Sequence, residues 1–125
     1  MHENEIATSI IQTSIELHKK LGPGLLESVY ENTLAYDLNE KGFHVDQQVP
    51  IPLVYKEIKF DVGSRLDLLI NKKVIIEIKS VDVLAPVHYA QLLTYLKLSE
   101  LKLGLLINFN VNLLKEGIHR VVNKL

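Results

Sequence analysis

Ile6, Ile10, Thr13, Leu17 and Leu21 recur at helical spacing. The acidic start before them and Lys19-Lys20 behind them complement the dipole of the helix that this pattern predicts. Gly22-Pro23-Gly24 breaks it, and Leu26, Val29 or Tyr30, Leu34 and Leu38 resume a second helical stripe that stops at Lys41-Gly42. From Phe43 the period shortens to two. Phe43, Val45, Gln47 and Val49 alternate with their neighbours and predict an edge strand, which Pro50 and Pro52 interrupt. Leu53 to Tyr55 and Ile58 to Phe60 then flank Lys56-Glu57 as a short hairpin.

Arg65 to Ile70 and Val74 to Ser80 are two β-rich runs joined by the polar turn Asn71-Lys72-Lys73, which reads as an antiparallel hairpin. Pro86 stands where a first helical position would be, and Val87, Ala90, Leu93 or Thr94 and Lys97 carry a third helix that ends near Ser99. Leu103 to Phe109 is nearly all apolar, the pattern of a strand buried on both faces, and Ile118 to Val122 adds a last strand. The expected fold class is α/β, in one domain spanning residues 1–125.

The hairpin is where chemistry enters. Centred on Lys72, it sets Asp67 opposite Glu77 and Arg65 opposite Lys79, all on one face, and leaves Leu66, Leu68, Ile76 and Ile78 for the core. Opposed side chains lie about 5 Å apart and like charges there destabilise a sheet, so paired carboxylates call for a cation. Two carboxylates and a lysine suit Mg²⁺ or Mn²⁺ with a phosphate ligand, Lys79 positioning the attacking water or neutralising charge on the phosphate. The competing interpretation is an exposed salt-bridged hairpin, since Glu-x-Lys is common by chance.

Composition narrows the class. At 125 residues, 47% hydrophobic and 23% charged, the chain is an ordinary globular domain with one core. It has no cysteine, which excludes disulfides, thiolate zinc sites and a cysteine nucleophile, and fits a reducing compartment. No run approaches the ~18 apolar residues of a membrane span, and the acidic N-terminus does not resemble a secretory signal, so a cytoplasmic location without membrane contact is expected. A net charge of −1 is not that of a dedicated nucleic-acid binder. Contact with DNA or RNA would rest on local clusters such as Lys56, Lys59, Arg65, Lys72 and Lys73, or on a metal.

Asp67 followed by Glu77-Ile78-Lys79 resembles the Asp then Glu-x-Lys half of the PD-(D/E)XK nuclease superfamily, with Arg65-Leu66-Asp67 lacking its nominal proline. Gly24-Leu25-Leu26-Glu27-Ser28-Val29-Tyr30 is similar to the signature of the GxxExxY protein family, a small branch of that superfamily. Gln91-Leu92-Leu93-Thr94-Tyr95-Leu96 is similar to its Gln-x-x-x-Tyr helix, and Leu103 to Phe109 continues the likeness over nearly the whole chain. The resemblance implies a central mixed sheet flanked by helices. It also implies metal ligation by Asp67, Glu77 and the Ile78 carbonyl, with Glu27 reaching in from the second helix.

Around these, Gln91 is expected near the reacting centre, with Tyr95, His88 and Tyr30 as supporting residues. Each also has a plainer account. Glu27 and Glu31 suit a solvated first turn, Tyr95 a packed ring, His88 and His18 surface or helix-end roles, and Gly22 and Gly24 a simple turn. The function that follows is a metal-dependent nuclease acting on DNA or RNA; the alternative is an inert binding or assembly module of the same fold. The long apolar patterns of the first helix and last strand further suggest self-association or a larger partner.

Overall fold

The computed structural model describes Met1–Leu125. Its elements, in chain order, are α1 (Glu3–Leu21), α2 (Glu27–Glu40), β1 (Val45–Tyr55), β2 (Ile58–Ile70), β3 (Val74–Lys79), α3 (Pro86–Ser99), β4 (Leu103–Asn108), a 3₁₀ turn η1 (Leu114–Gly117) and β5 (Ile118–Val122). The strands form one sheet in the order β1-β2-β3-β4-β5. Only β3 and β4 run parallel, joined by α3, so the sheet is mixed. The α/β class and the flanked mixed sheet expected from the sequence are what the chain adopts.

Strand alternation sorts the core into two layers. Leu68, Ile70, Val74, Ile76, Ile78, Leu103, Leu105 and Ile107 face α1 and α2, meeting Ile6, Ile10, Leu17, Tyr30, Leu34 and Leu38. Leu69, Ile75 and Leu106 face the other way, onto Leu92, Tyr95 and Leu96 of α3. β4 is buried along its whole length, as its unbroken apolar run predicts.

Several details differ from the sequence reading. Pro50 and Pro52 do not end the first strand: β1 runs through both, because an edge strand has an unpaired side on which no donor is needed. The ladder absorbs them with a register shift between the two prolines, and the separate short hairpin becomes the far end of one long β1-β2 ribbon. Leu66 leaves the face it was expected to share with Leu68 and is buried with Ile51, Leu69 and Leu92's cluster. Helix three buries Leu92, Tyr95 and Leu96, whereas Val87 is 64% exposed. Leu26 likewise lies outside α2 as its N-cap, 75% exposed, and Leu21 is exposed.

Gly104 lets α3 approach the sheet. A Cβ there would come within 2.8 Å of Leu92 Cδ1, and Leu92 is fully buried, so it has no room to retreat. Gly104→Ala is expected to destabilise the fold by about 1–3 kcal/mol through overpacking. Urea unfolding of the variant beside wild type checks this; an unchanged midpoint would show that the α3 contact is loose.

Candidate active site

The β2-β3 hairpin has the register read from the sequence, with Leu68 opposite Ile76, Leu69 opposite Ile75 and Ile70 opposite Val74. Asn71 and Lys72 take positive φ, 51° and 58°, to close the turn, and Lys73 N donates to Ile70 O. The ladder stops there. Neither the expected Asp67–Glu77 pair nor the expected Arg65–Lys79 pair joins the ladder, and Arg65 instead donates to Asp61 Oδ1 at 3.0 Å. At the point of divergence Asp67 Oδ2 accepts the Ile78 N–H at 2.8 Å, so a carboxylate takes the place of a strand carbonyl.

Glu77 sits on the α3 side of β3, opposite Leu106 of β4, and is only 7% exposed. Its Oε1 is the one buried side-chain nitrogen or oxygen in the chain without a hydrogen-bond partner. Burial, and then the nearby charge of Asp67, push the Glu77 carboxyl from its ordinary 4.5 up to about 9; Lys79 opposes this only weakly. Lys79 is half-buried and its ammonium forms no salt bridge. Asp67, Glu77, Ile78 and Lys79 are thus brought together at the end of β3.

Glu27 arrives at the same strand end but not on the two acids. At the first position of α2, its Oε2 accepts the Ser80 N–H at 2.9 Å, while Ser80 Oγ donates to Leu25 O at 2.8 Å. No three acidic or histidine side chains converge as a cation cluster, so the expected fourfold convergence of Glu27, Asp67, Glu77 and Lys79 is only partly realised. The reason is local: Ser80 leaves the sheet with a bare N–H, and the Glu27 carboxylate satisfies it.

The supporting residues divide. Tyr30 is fully buried; its hydroxyl donates to Gly22 O at 2.6 Å and accepts from Leu25 N, and its ring stacks on Phe109 with centroids 4.4 Å apart. Tyr95 is packed under the sheet. His88 Nδ1 accepts the Ala85 N–H at 3.0 Å and so finishes the N-terminus of α3. Gln91 is exposed and forms no hydrogen bond to the acids or to Lys79.

Three polar groups at the site escaped the sequence reading. Asn108 is buried and clamps the segment after β3, donating to Val81 O at 2.8 Å and accepting from Val81 N at 3.1 Å. A lone amide in the apolar run from Leu103 to Phe109 was its signal. Ser80, just described, follows the Glu-x-Lys motif directly. Gln48 has φ of 51° and donates through Nε2 to Glu31 Oε1 at 2.7 Å and, more loosely, to Asp67 Oδ1 at 3.4 Å. Nothing local marks it, since its place depends on the β1-β2 register.

A family model of the PD-(D/E)XK nuclease superfamily matches residues 4–121. The chain belongs to that superfamily. Neither the curated proteins nor the solved structures supply a match. Superfamily nucleases typically use divalent metals, and the donors here suit one: an orphaned, buried carboxylate oxygen beside a second carboxylate is all-oxygen and short of positive charge.

Glu77 gives stability a pH dependence of definite sign. Its pKa is raised on folding, so between about 4.5 and about 9 the folded chain holds more protons than the unfolded one, and stability falls as pH rises through that window. In metal-free buffer the wild type is expected to lose on the order of a few kcal/mol across it. Glu77→Gln should lose most of that slope and exceed wild-type stability at the alkaline end. Urea midpoints measured at several pH values decide it; an equal slope in both proteins would mean another group is responsible.

Proposed function

We propose that this chain is a metal-dependent nuclease that hydrolyses phosphodiester bonds of DNA or RNA, and that it falls in the GxxExxY branch of its superfamily. The observation that carries the reading is the buried Glu77 carboxyl with Oε1 unpartnered, next to Asp67 and two residues before Lys79. A fold that needed only stability would favour an apolar residue there.

The cation, Mg²⁺ or Mn²⁺, would be held by Asp67, Glu77 and the Ile78 carbonyl, and would supply Lewis acidity at the phosphate and a more acidic water. The protein's own groups do the rest. The Ile78 N–H fixes the direction of Asp67. Lys79 holds a positive charge where the scissile phosphate would gather negative charge. Glu27 and Asn108, through Ser80 and Val81, keep the end of β3 from fraying, so the acids and the lysine hold their spacing. Gln91, exposed on α3, is available to the substrate. The branch assignment is supported by the work its motif does: Glu27 grips Ser80, and Tyr30 closes the turn that contains Gly24.

A second reading, an inert binding or assembly module, is favoured by two facts: both oxygens of Asp67 already accept protein N–H groups, and no third acid completes a cluster. Calorimetric titration with Mn²⁺ and Mg²⁺ separates the two. Wild type is expected to bind at millimolar metal or below and Glu77→Ala to lose binding. Lys79→Ala should keep binding while cleaving mixed single- and double-stranded nucleic acid at least about 100-fold more slowly. Wild type that binds no metal, or Lys79→Ala cleaving as fast as wild type, would sink the nuclease reading.

A further inference from the structure

Between the end of α1, the Gly22-Pro23 turn and η1 lies a recess of ≈ 370 Å³ whose ionisable lining is His18, Lys19 and Lys115, with no carboxylate. Four other recesses of the surface each contain at least one acid: Asp61, Glu100, Glu16, or Asp82 with Glu116. Neither Lys19 nor Lys115 belongs to any of the chain's ion pairs. The dipole of α1 accounts for Lys19 at its C-terminal end. It does not account for Lys115, which comes from η1 and brings a second positive charge to the same walls at a cost in repulsion.

The third basic group is built in rather than draped over the surface. His18 is 6% exposed, and its Nε2 donates to Phe109 O at 3.1 Å. The same Phe109 donates its N–H to Lys79 O at 2.9 Å. Two hydrogen bonds and the length of one residue therefore separate the His18 ring from the Lys79 backbone, at most about 10 Å. The wall of the recess at Gly22 is joined to the site as well, through Tyr30 to Leu25 and from Leu25 to Ser80.

We propose that this recess binds the terminal phosphate monoester of a nucleic-acid strand whose nearby linkage lies at Asp67, Glu77 and Lys79. The proposal rests on the nuclease reading. The charge decides for a terminal phosphate over an internal one: a monoester carries about −1.5 to −2, which two lysines balance, whereas a diester carries a single charge.

The test uses single-stranded 12-mers bearing a 5′-phosphate, a 3′-phosphate or neither, titrated into the full-length protein in EDTA. One phosphorylated form is expected to bind about ten-fold more tightly than the unmodified strand, with millimolar inorganic phosphate erasing the difference. The Lys19→Ala/Lys115→Ala double variant changes two exposed, unbonded side chains, so it should fold normally and lose the preference while still binding the unmodified strand. Equal binding of all three strands, or a preference that survives in the double variant, would overturn the proposal. So would binding of inorganic phosphate with no strand preference, which would make the recess a free-anion site. Adding Mn²⁺ to the same mixtures keeps the two readings apart: absence of cleavage from every strand counts against the nuclease, and the preference in EDTA still judges the recess.

Discussion

Glu77 cannot leave. It lies in the interior of β3, which is hydrogen-bonded to β4 from Val74 through Lys79, and its side chain is directed by that register into the layer between sheet and α3. Turning it out to solvent would require breaking the parallel ladder. An unsatisfied buried polar group costs about 1–3 kcal/mol, and more when charged. The molecule meets this cost by keeping the carboxyl protonated rather than by supplying a donor to Oε1. Asp67 is treated in the opposite way, with N–H donors on both oxygens. The two acids are neighbours with unlike surroundings, and burial, followed by the charge of Asp67, is what pushes the Glu77 carboxyl up.

The break in the ladder beside this pair follows from the sheet. β3 has β2 on one side only as far as Ile76, and β4 on the other as far as Lys79. The last three residues of β3 therefore have a free edge exactly one side wide, and Asp67 fills the first place on it by taking the Ile78 N–H. Had β2 continued in register, the acids would be flanked by ordinary ladder bonds. Gln48, strained at positive φ, lies on the neighbouring strand where β2 turns aside, and such outliers persist only where surrounding contacts over-determine them.

Periodicity was enough for most of the fold. Helical spacing located α1, α2 and α3, alternation and apolar runs located the strands, and the centre of the hairpin followed from its polar turn. The errors in the strands have a common cause: local pattern does not report which strand lies at an edge or where two strands part. Pro50 and Pro52 look like breaks until β1 is seen to have an unpaired side. The Arg65–Lys79 pair looks sound until Asp67 ends the ladder. Of the candidate site, the nearness of Asp67 to the end of β3 was legible from the hairpin centre, but the ladder ends at Leu68–Ile76, before the acids could pair directly. Glu27's attachment to Ser80 and Gln48's reach to Asp67 join elements far apart in the chain, and no short-range signal encodes such contacts.

The motif residues of the first loop now acquire a mechanical meaning. Tyr30 fastens the Gly22–Leu25 turn to Phe109 by stacking, and Phe109 in turn bonds to His18 on one side and Lys79 on the other. Recess, turn and strand end thus form one hydrogen-bonded unit with few loose joints. A side-chain hydrogen bond contributes about 1 kcal/mol to stability, yet its greater value here is geometric. A phosphate gripped at one end of a rigid unit fixes the position of the next linkages at the other end, and a misplacement of about 1 Å at a reacting centre can cost about 100-fold in rate. On the proposed reading, the buried aromatic pair, remote from any chemistry of its own, would set the distance between holding a strand and cutting it.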